Sequence, residues 1–195
     1  MRADAQRNRD RLTAAAQAVF SEQGAGASLD EVAKRAGVGP GTLYRHFPTR
    51  EALQEAVYRD AVERLCAAGA QLRSTADAKQ ALVEWMRLLL EHMIARRGLA
   101  EALVSALGKQ GDVFVVSHRS LHEVGADLVD RAKRAGAARP DLDHRDLLWM
   151  IHGIAQAGTG QDGEARAQRL LNIMTVGSLA RSMRGITSRP STYGS

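Results

Sequence analysis

The stretch Ser28-Leu-Asp-Glu-Val-Ala-Lys-Arg-Ala-Gly-Val-Gly-Pro-Gly-Thr-Leu-Tyr-Arg-His-Phe47 decides how the rest of the chain is read. Leu29, Val32, Ala33 and Ala36 recur at the three- and four-residue spacing of one helix face. Ser28 and Glu31 have the pattern of a capping box, in which the Ser28 hydroxyl accepts from the Glu31 amide and the Glu31 carboxylate reaches back. Gly37 supplies the left-handed residue that stops such a helix. Gly39-Pro40 then opens another helix, because a proline at the first helical position gives up an N–H that has no partner there. Pro48 disfavours helical geometry at its predecessor, so this second helix ends by about Phe47. Two short helices joined by Gly37-Val38-Gly39 make a helix-turn-helix pattern, with Val38 placed to tuck between them.

Helical spacing continues in both directions. Upstream, Leu12, Ala15, Ala16, Val19 and Phe20 mark a first helix, closed by Gly24 and Gly26. Downstream, Thr49 caps a long helix from Arg50 to about Ser74, which joins the two halves of the chain. Further helices are expected over about 77–96, 99–107, 112–133, 143–157 and 164–182, with a flexible loop at 158–163. Val113-Phe114-Val115-Val116 is strand-like in composition and interrupts this pattern. The expected class is all-α: an N-terminal three-helix unit over 1–50, a helical C-terminal domain over 51–184 and a fraying Gly/Ser/Thr/Pro-rich tail over 185–195.

Composition narrows the function classes. The 195 residues are 45% hydrophobic and 25% charged, which excludes a disordered acidic tail or a low-complexity polymer. A single cysteine, Cys66, excludes an internal disulfide framework and a cysteine zinc cluster. It is expected to be a small buried hydrophobe. No apolar run approaches the roughly 20 residues of a membrane span, and the charged N-terminus lacks a signal-peptide core. A cytoplasmic location without a membrane partner is therefore expected. The net charge of +5 is uneven: +3 over residues 1–50, −1 over 51–180 and +3 over 181–195, from Arg181, Arg184 and Arg189. Basic patches suit a polyanion, and a solvated surface is the bland alternative.

In a helix-turn-helix the second helix enters the major groove and the first crosses the backbone. Gly39, Pro40 and Gly41 have little bulk, so the start of the second helix can approach closely. Thr42 offers a hydroxyl and a methyl, and Arg45 can reach guanine or a phosphate. Tyr44 and His46 can donate to phosphate oxygens. Ser28 and Arg50 lie at helix N-termini, which favour anions. Leu43 and Phe47 fall on the inward face.

The segments Ala14-Ala-Ala-Gln-Ala-Val-Phe20, Glu22-Gln-Gly24, Ser28-Leu-Asp-Glu-Val-Ala33, Ala36-Gly-Val38, Gly41-Thr-Leu-Tyr-Arg-His-Phe47 and Thr49-Arg-Glu-Ala-Leu53 closely resemble the DNA-binding domain of TetR-family transcriptional regulators. The resemblance runs over about residues 7–57 in one register. Arg50 stands where the family usually has lysine, and Pro40 is a less usual occupant of its helix. The resemblance implies a homodimer that binds double-stranded operator DNA, as a repressor, and leaves it when a small-molecule effector occupies the C-terminal domain.

The C-terminal residues add expectations of their own. Leu147, Met150, Ile151 and Ile154, then Leu170, Met174, Gly177 and Ser178, lie on two helices that are apolar nearly all round, so a four-helix dimer interface is expected. A larger monomeric core is the alternative. Trp85, Met86, Met93, Phe114, His118, Trp149 and His152 are candidate effector contacts, with plain core packing as the competing role. His92 and His144 are read as exposed or near helix caps. His118 and His122 are four apart with Glu123 beside them, yet no third ligand follows, so no metal and no resident cofactor are expected. No P-loop, nucleophile elbow, HExxH or dinucleotide fingerprint supports an enzyme. A constitutive dimeric DNA binder without ligand control, and less so an α-helical enzyme, are the alternatives.

Overall fold

The computed structural model describes residues 2–108 and 111–179. Among them the helices are α1 (Arg2–Gln23), α2 (Leu29–Ala36), α3 (Pro40–His46), α4 (Arg50–Leu72), α5 (Ala78–Ala95), α6 (Arg97–Leu107), α7 (Asp112–Arg134), α8 (His144–Ala157) and α9 (Gly163–Ser178). The described β pairing is one isolated antiparallel bridge, Ala138 with Leu179. No described helix is long and apolar enough to cross a membrane. The basic tail residues Arg181, Arg184 and Arg189 lie outside the described residues.

Leu12, Ala16, Val19 and Phe20 of α1 are buried with Leu29, Val32, Ala33 and Ala36 of α2, and Leu43 and Phe47 close this small core. Gly37 takes φ +66°, and its N–H and that of Val38 donate back to the carbonyls at the end of α2. A Cβ at Gly37 would meet the Arg11 guanidinium at 2.9 Å, so both backbone and space ask for glycine there. The expected capping box forms differently. Ser28 Oγ accepts from the Asp30 N–H at 3.2 Å, not from Glu31.

α4 belongs to both halves of the molecule. Thr49 caps it by accepting from the Ala52 N–H at 3.1 Å. Near its start, Arg50 Nη1 donates to the Ala25 and Ala27 carbonyls at 3.2 and 2.6 Å, and Gln54 Nε2 donates to Ala25 at 2.9 Å. These bonds tie the α1–α2 loop to α4. Near its end, Gly69 lets α4 lie directly against Trp85 of α5 and Val124 of α7. A Cβ there would come within 2.5 Å of Val124 Cγ1 and 2.7 Å of Trp85 Cζ3.

α7 runs unbroken through Val113-Phe114-Val115-Val116. Val113 and Phe114 are buried while Val115 and Val116 face out, and the inward row continues through Ser117, Leu121, Val124 and Leu128. The helical period of the longer segment overrides the local strand preference. α9 ends at Ser178, short of the expected 182. Leu179 turns to an extended conformation and pairs with Ala138, and the Arg139 N–H donates to the Ser178 carbonyl at 3.2 Å.

Candidate nucleic-acid interface

α3 is seven residues long and is anchored by two side chains, Leu43 and Phe47, both 1% exposed. The opposite face is open: Gly39, Pro40, Gly41 and Arg45 are exposed, and Tyr44 is 49% exposed. Thr42 and His46 are half-buried at its margins. Ser28 is exposed at the start of α2. Gly39 has φ −74°, an ordinary value for any residue, and a Cβ at Gly39 or Gly41 would meet nothing within 4 Å. Nothing inside the protein therefore requires glycine at these two positions, although glycine weakens a helix. The surface they leave smooth faces outward.

Without a partner, Arg45 folds back along its own helix. Its Nε donates to the Gly41 carbonyl at 3.1 Å and Nη2 to Thr42 Oγ1 at 3.4 Å. Both are exposed bonds that a phosphate or a base edge can replace at small cost. Arg50 differs from the expectation of a free phosphate contact. Its Nη1 is committed to the α1–α2 loop, which makes it a structural strut at the edge of this face.

Arg9 of α1 escaped the sequence reading. Its Nη1 donates to the His46 carbonyl at 3.3 Å, and its guanidinium carbon sits 4.5 Å above the Phe47 ring. It thereby fixes the C-terminal end of α3 against α1. Partners 37 residues apart leave no local pattern to find. Arg9, His46 and Phe47 also border a cleft of about 450 Å³ that reaches Thr49, Glu55 and Arg59 of the α3–α4 segment and Leu107 at the end of α6.

The candidate effector residues scatter. Trp85 and Met86 are fully buried and Phe114 is 5% exposed, so all three are core. The Trp85 indole N–H lies buried without a partner, 3.7 Å from where a Gly125 Cβ would stand. Met93 packs at the margin of the core. His118 and His152 are exposed, and Trp149, 73% exposed, lies edge-on to His152 on the outer face of α8. That corrects the grouping of Trp149 with a pocket: its neighbours on α8 leave it pointing away from the core. Burial and the nearby His152 push the His118 imidazole below its ordinary value. No group of three or more metal-ligating side chains gathers among the described residues. Cys66 is half-buried, and burial with Glu123 and Glu63 pushes its thiol up.

The two apolar helices also divide. Leu147 and Ile151 are fully buried within the subunit and Ser178 is 4% exposed, so a partner chain gains nothing by covering them. Ile154, Leu170 and Met174 are half-buried, Met150 is 40% exposed and Gly177 is exposed. Ile173 and Val176, exposed at 69% and 76%, extend this outer surface of α8 and α9. His92, expected at the surface, is instead partly buried beside the Tyr58 ring.

A short helix anchored by two residues, smooth and polar on its outer side, set on an all-helical body, defines the helix-turn-helix class of DNA-binding regulators. Comparison with known proteins agrees. Residues 12–57 match the family of bacterial regulatory proteins, tetR family, and residues 77–179 match the SbtR-like transcriptional regulator C-terminal domain. Similar solved structures include a TetR transcriptional regulator from Streptomyces coelicolor, at 39% identity and TM-score 0.77, covering 89% of this chain and 99% of that one. Another is a TetR regulatory protein from Mycobacterium vanbaalenii, at 32% identity and TM-score 0.72, covering 92% and 99%. The HTH-type transcriptional regulator UidR of Escherichia coli (strain K12) is 28% identical over 162 residues, 79% of this chain and 83% of the relative. The chain belongs to the TetR family of transcriptional regulators, which are DNA-binding proteins and not enzymes.

Proposed function

We propose that this regulator is a homodimeric repressor that binds a near-palindromic operator and is released by a small-molecule effector. The observation that carries its DNA-binding part is the outer face of α3, where two glycines that no internal contact demands adjoin the exposed Tyr44 and Arg45. Phosphate neutralisation supplies most of the affinity, and Thr42 and Arg45 supply sequence choice. The exposed apolar strip of Trp149, Met150, Ile173 and Val176 supports the dimer. A relative named as a repressor, KstR2 of Mycolicibacterium smegmatis, is 25% identical over 183 residues, 87% of this chain and 89% of that one.

Release follows from the way α4 and α6 meet the DNA-binding unit. α4 holds the α1–α2 loop through Arg50 and Gln54, while its far end packs on α5 and α7 through Gly69. α6 packs on α4, and its last residue, Leu107, borders the same cleft as His46 and Phe47. An effector that favours a shifted α6 or α4 therefore reorients α3 relative to its copy. The two α3 helices then no longer match major grooves about 34–36 Å apart. Gel-shift titration with genomic fragments over a salt series tests the DNA-binding core of this reading. Specific binding with a steep salt dependence is expected, and no binding to any fragment at low salt would overturn it.

A further inference from the structure

We infer that the junction of α4, α5 and α6 is a binding site for a small organic anion, with Arg96 and Arg64 receiving its acid group and the rings of Tyr58 and Phe114 its body. The inference deepens the effector reading above and rests on it. Arg96 caps the end of α5 and the start of α6. Its Nε is buried and has no hydrogen-bond partner. Asp60, the carboxylate whose charge reaches Arg96, is already paired with Arg64 at 2.5 Å. Arg64 also donates to Gln17 of α1. Two guanidinium groups thus share one carboxylate, and the more enclosed of them has an unmet donor. Burial and the Arg64 charge push the Arg96 guanidinium below its ordinary value.

The surroundings suit an anion with an apolar body. His92, one turn before Arg96, is held neutral: burial first, then Arg96 and Arg64, push its imidazole down to about 4. Tyr58 meets His92 edge-on at 6.4 Å and Phe114 at 5.4 Å, so aromatic surface adjoins the cations. A cleft of about 350 Å³ between α1 and α4 is lined by Asp60 and Arg64 and gives solvent access to that pair. Its volume suits a small ligand. A half-buried guanidinium without its full set of acceptors is costly, and a carboxylate or phosphate forms charge-assisted bonds with it. Such an anion would sit at the root of α6, the helix whose other end borders the cleft beside α3.

Thermal unfolding of the full chain, at fixed ionic strength, with benzoate, hexanoate, phenyl phosphate or neutral benzamide tests the site. At least one anion is expected to raise the melting temperature by about 2 °C or more, and benzamide is not. Which anion acts separates carboxylate from phosphate chemistry. Arg96→Gln should abolish the anion response and, without ligand, melt no lower than the wild type. Arg96→Lys, which keeps the charge and loses the fork, should keep a weakened response. No shift with any of the three anions overturns the proposal, as does an undiminished response in Arg96→Gln or a lower melting point of that variant without ligand. Operator release by a neutral compound alone would sink this site and spare the effector reading. Arg96-dependent anion binding that leaves operator affinity unchanged would keep the site and sink the effector reading.

Discussion

Gly41 sits inside a helix with open space around it, so Gly41→Ala should stabilise the fold by roughly 0.5–1 kcal/mol while weakening operator binding. Chemical denaturation and gel shift read the two effects, and unchanged operator affinity would count against close approach at this residue. Leu43 and Phe47 were readable as core from periodicity and from Pro48 alone. The role of Arg50 was not, because its acceptors lie 23 and 25 residues away in a loop with no pattern of its own. His92 was misread for a similar reason: its enclosure is made by Tyr58 and by the start of α6, not by its own helix. Its titration carries a consequence. The imidazole protonates near 6.5 when unfolded and near 4 when folded, so the unfolded chain takes up the proton first as pH falls. The stability at stake is fully present above pH 6.5 and is lost as pH falls toward 4, by at most about 3 kcal/mol. His92→Asn should flatten the pH dependence of the unfolding free energy over that window. An unchanged slope would show that the imidazole is not held neutral.

Among the elements, α4 has the most demanding job, and one glycine makes it possible. Gly69→Ala should destabilise the protein by about 1–3 kcal/mol, because its Cβ meets the Trp85 ring and Val124, not the end of a flexible chain. A neutral result by thermal unfolding would mean that α5 and α7 can step back without cost. The long helix itself was plain in the sequence from Thr49 onward, whereas the close approach of three helices at residue 69 left no trace in local spacing. α7 shows the opposite balance. Four residues of strand-like composition gave the wrong local signal, and the helical row that followed them was the better guide. The end of α9 depended on pairing with Ala138, a residue about forty positions earlier, which no local rule supplies.

Over the whole molecule, apolar composition located α8 and α9 as unusual helices without saying which side faced inward. Leu147 and Ile151 fill the subunit's own core, so Leu147→Ala should cost about 2–5 kcal/mol of stability. Ile173→Asp with Val176→Asp should instead leave the fold intact and shift sedimentation from dimer to monomer. A dimer that survives this double change would place the partner elsewhere. The uneven charge fits the same division of labour: the net +3 of residues 1–50 belongs to the unit that carries α3, and the near-neutral body carries the apolar strip. The central claim is that the outer face of α3 reads DNA sequence. Sequencing of genomic fragments selected by the wild type and by Arg45→Ala tests it most directly. The account predicts a two-fold symmetric motif for the wild type, and for the variant relaxed preference at particular base pairs with a loss of about 1–3 kcal/mol. An identical motif bound equally well by both proteins would contradict it.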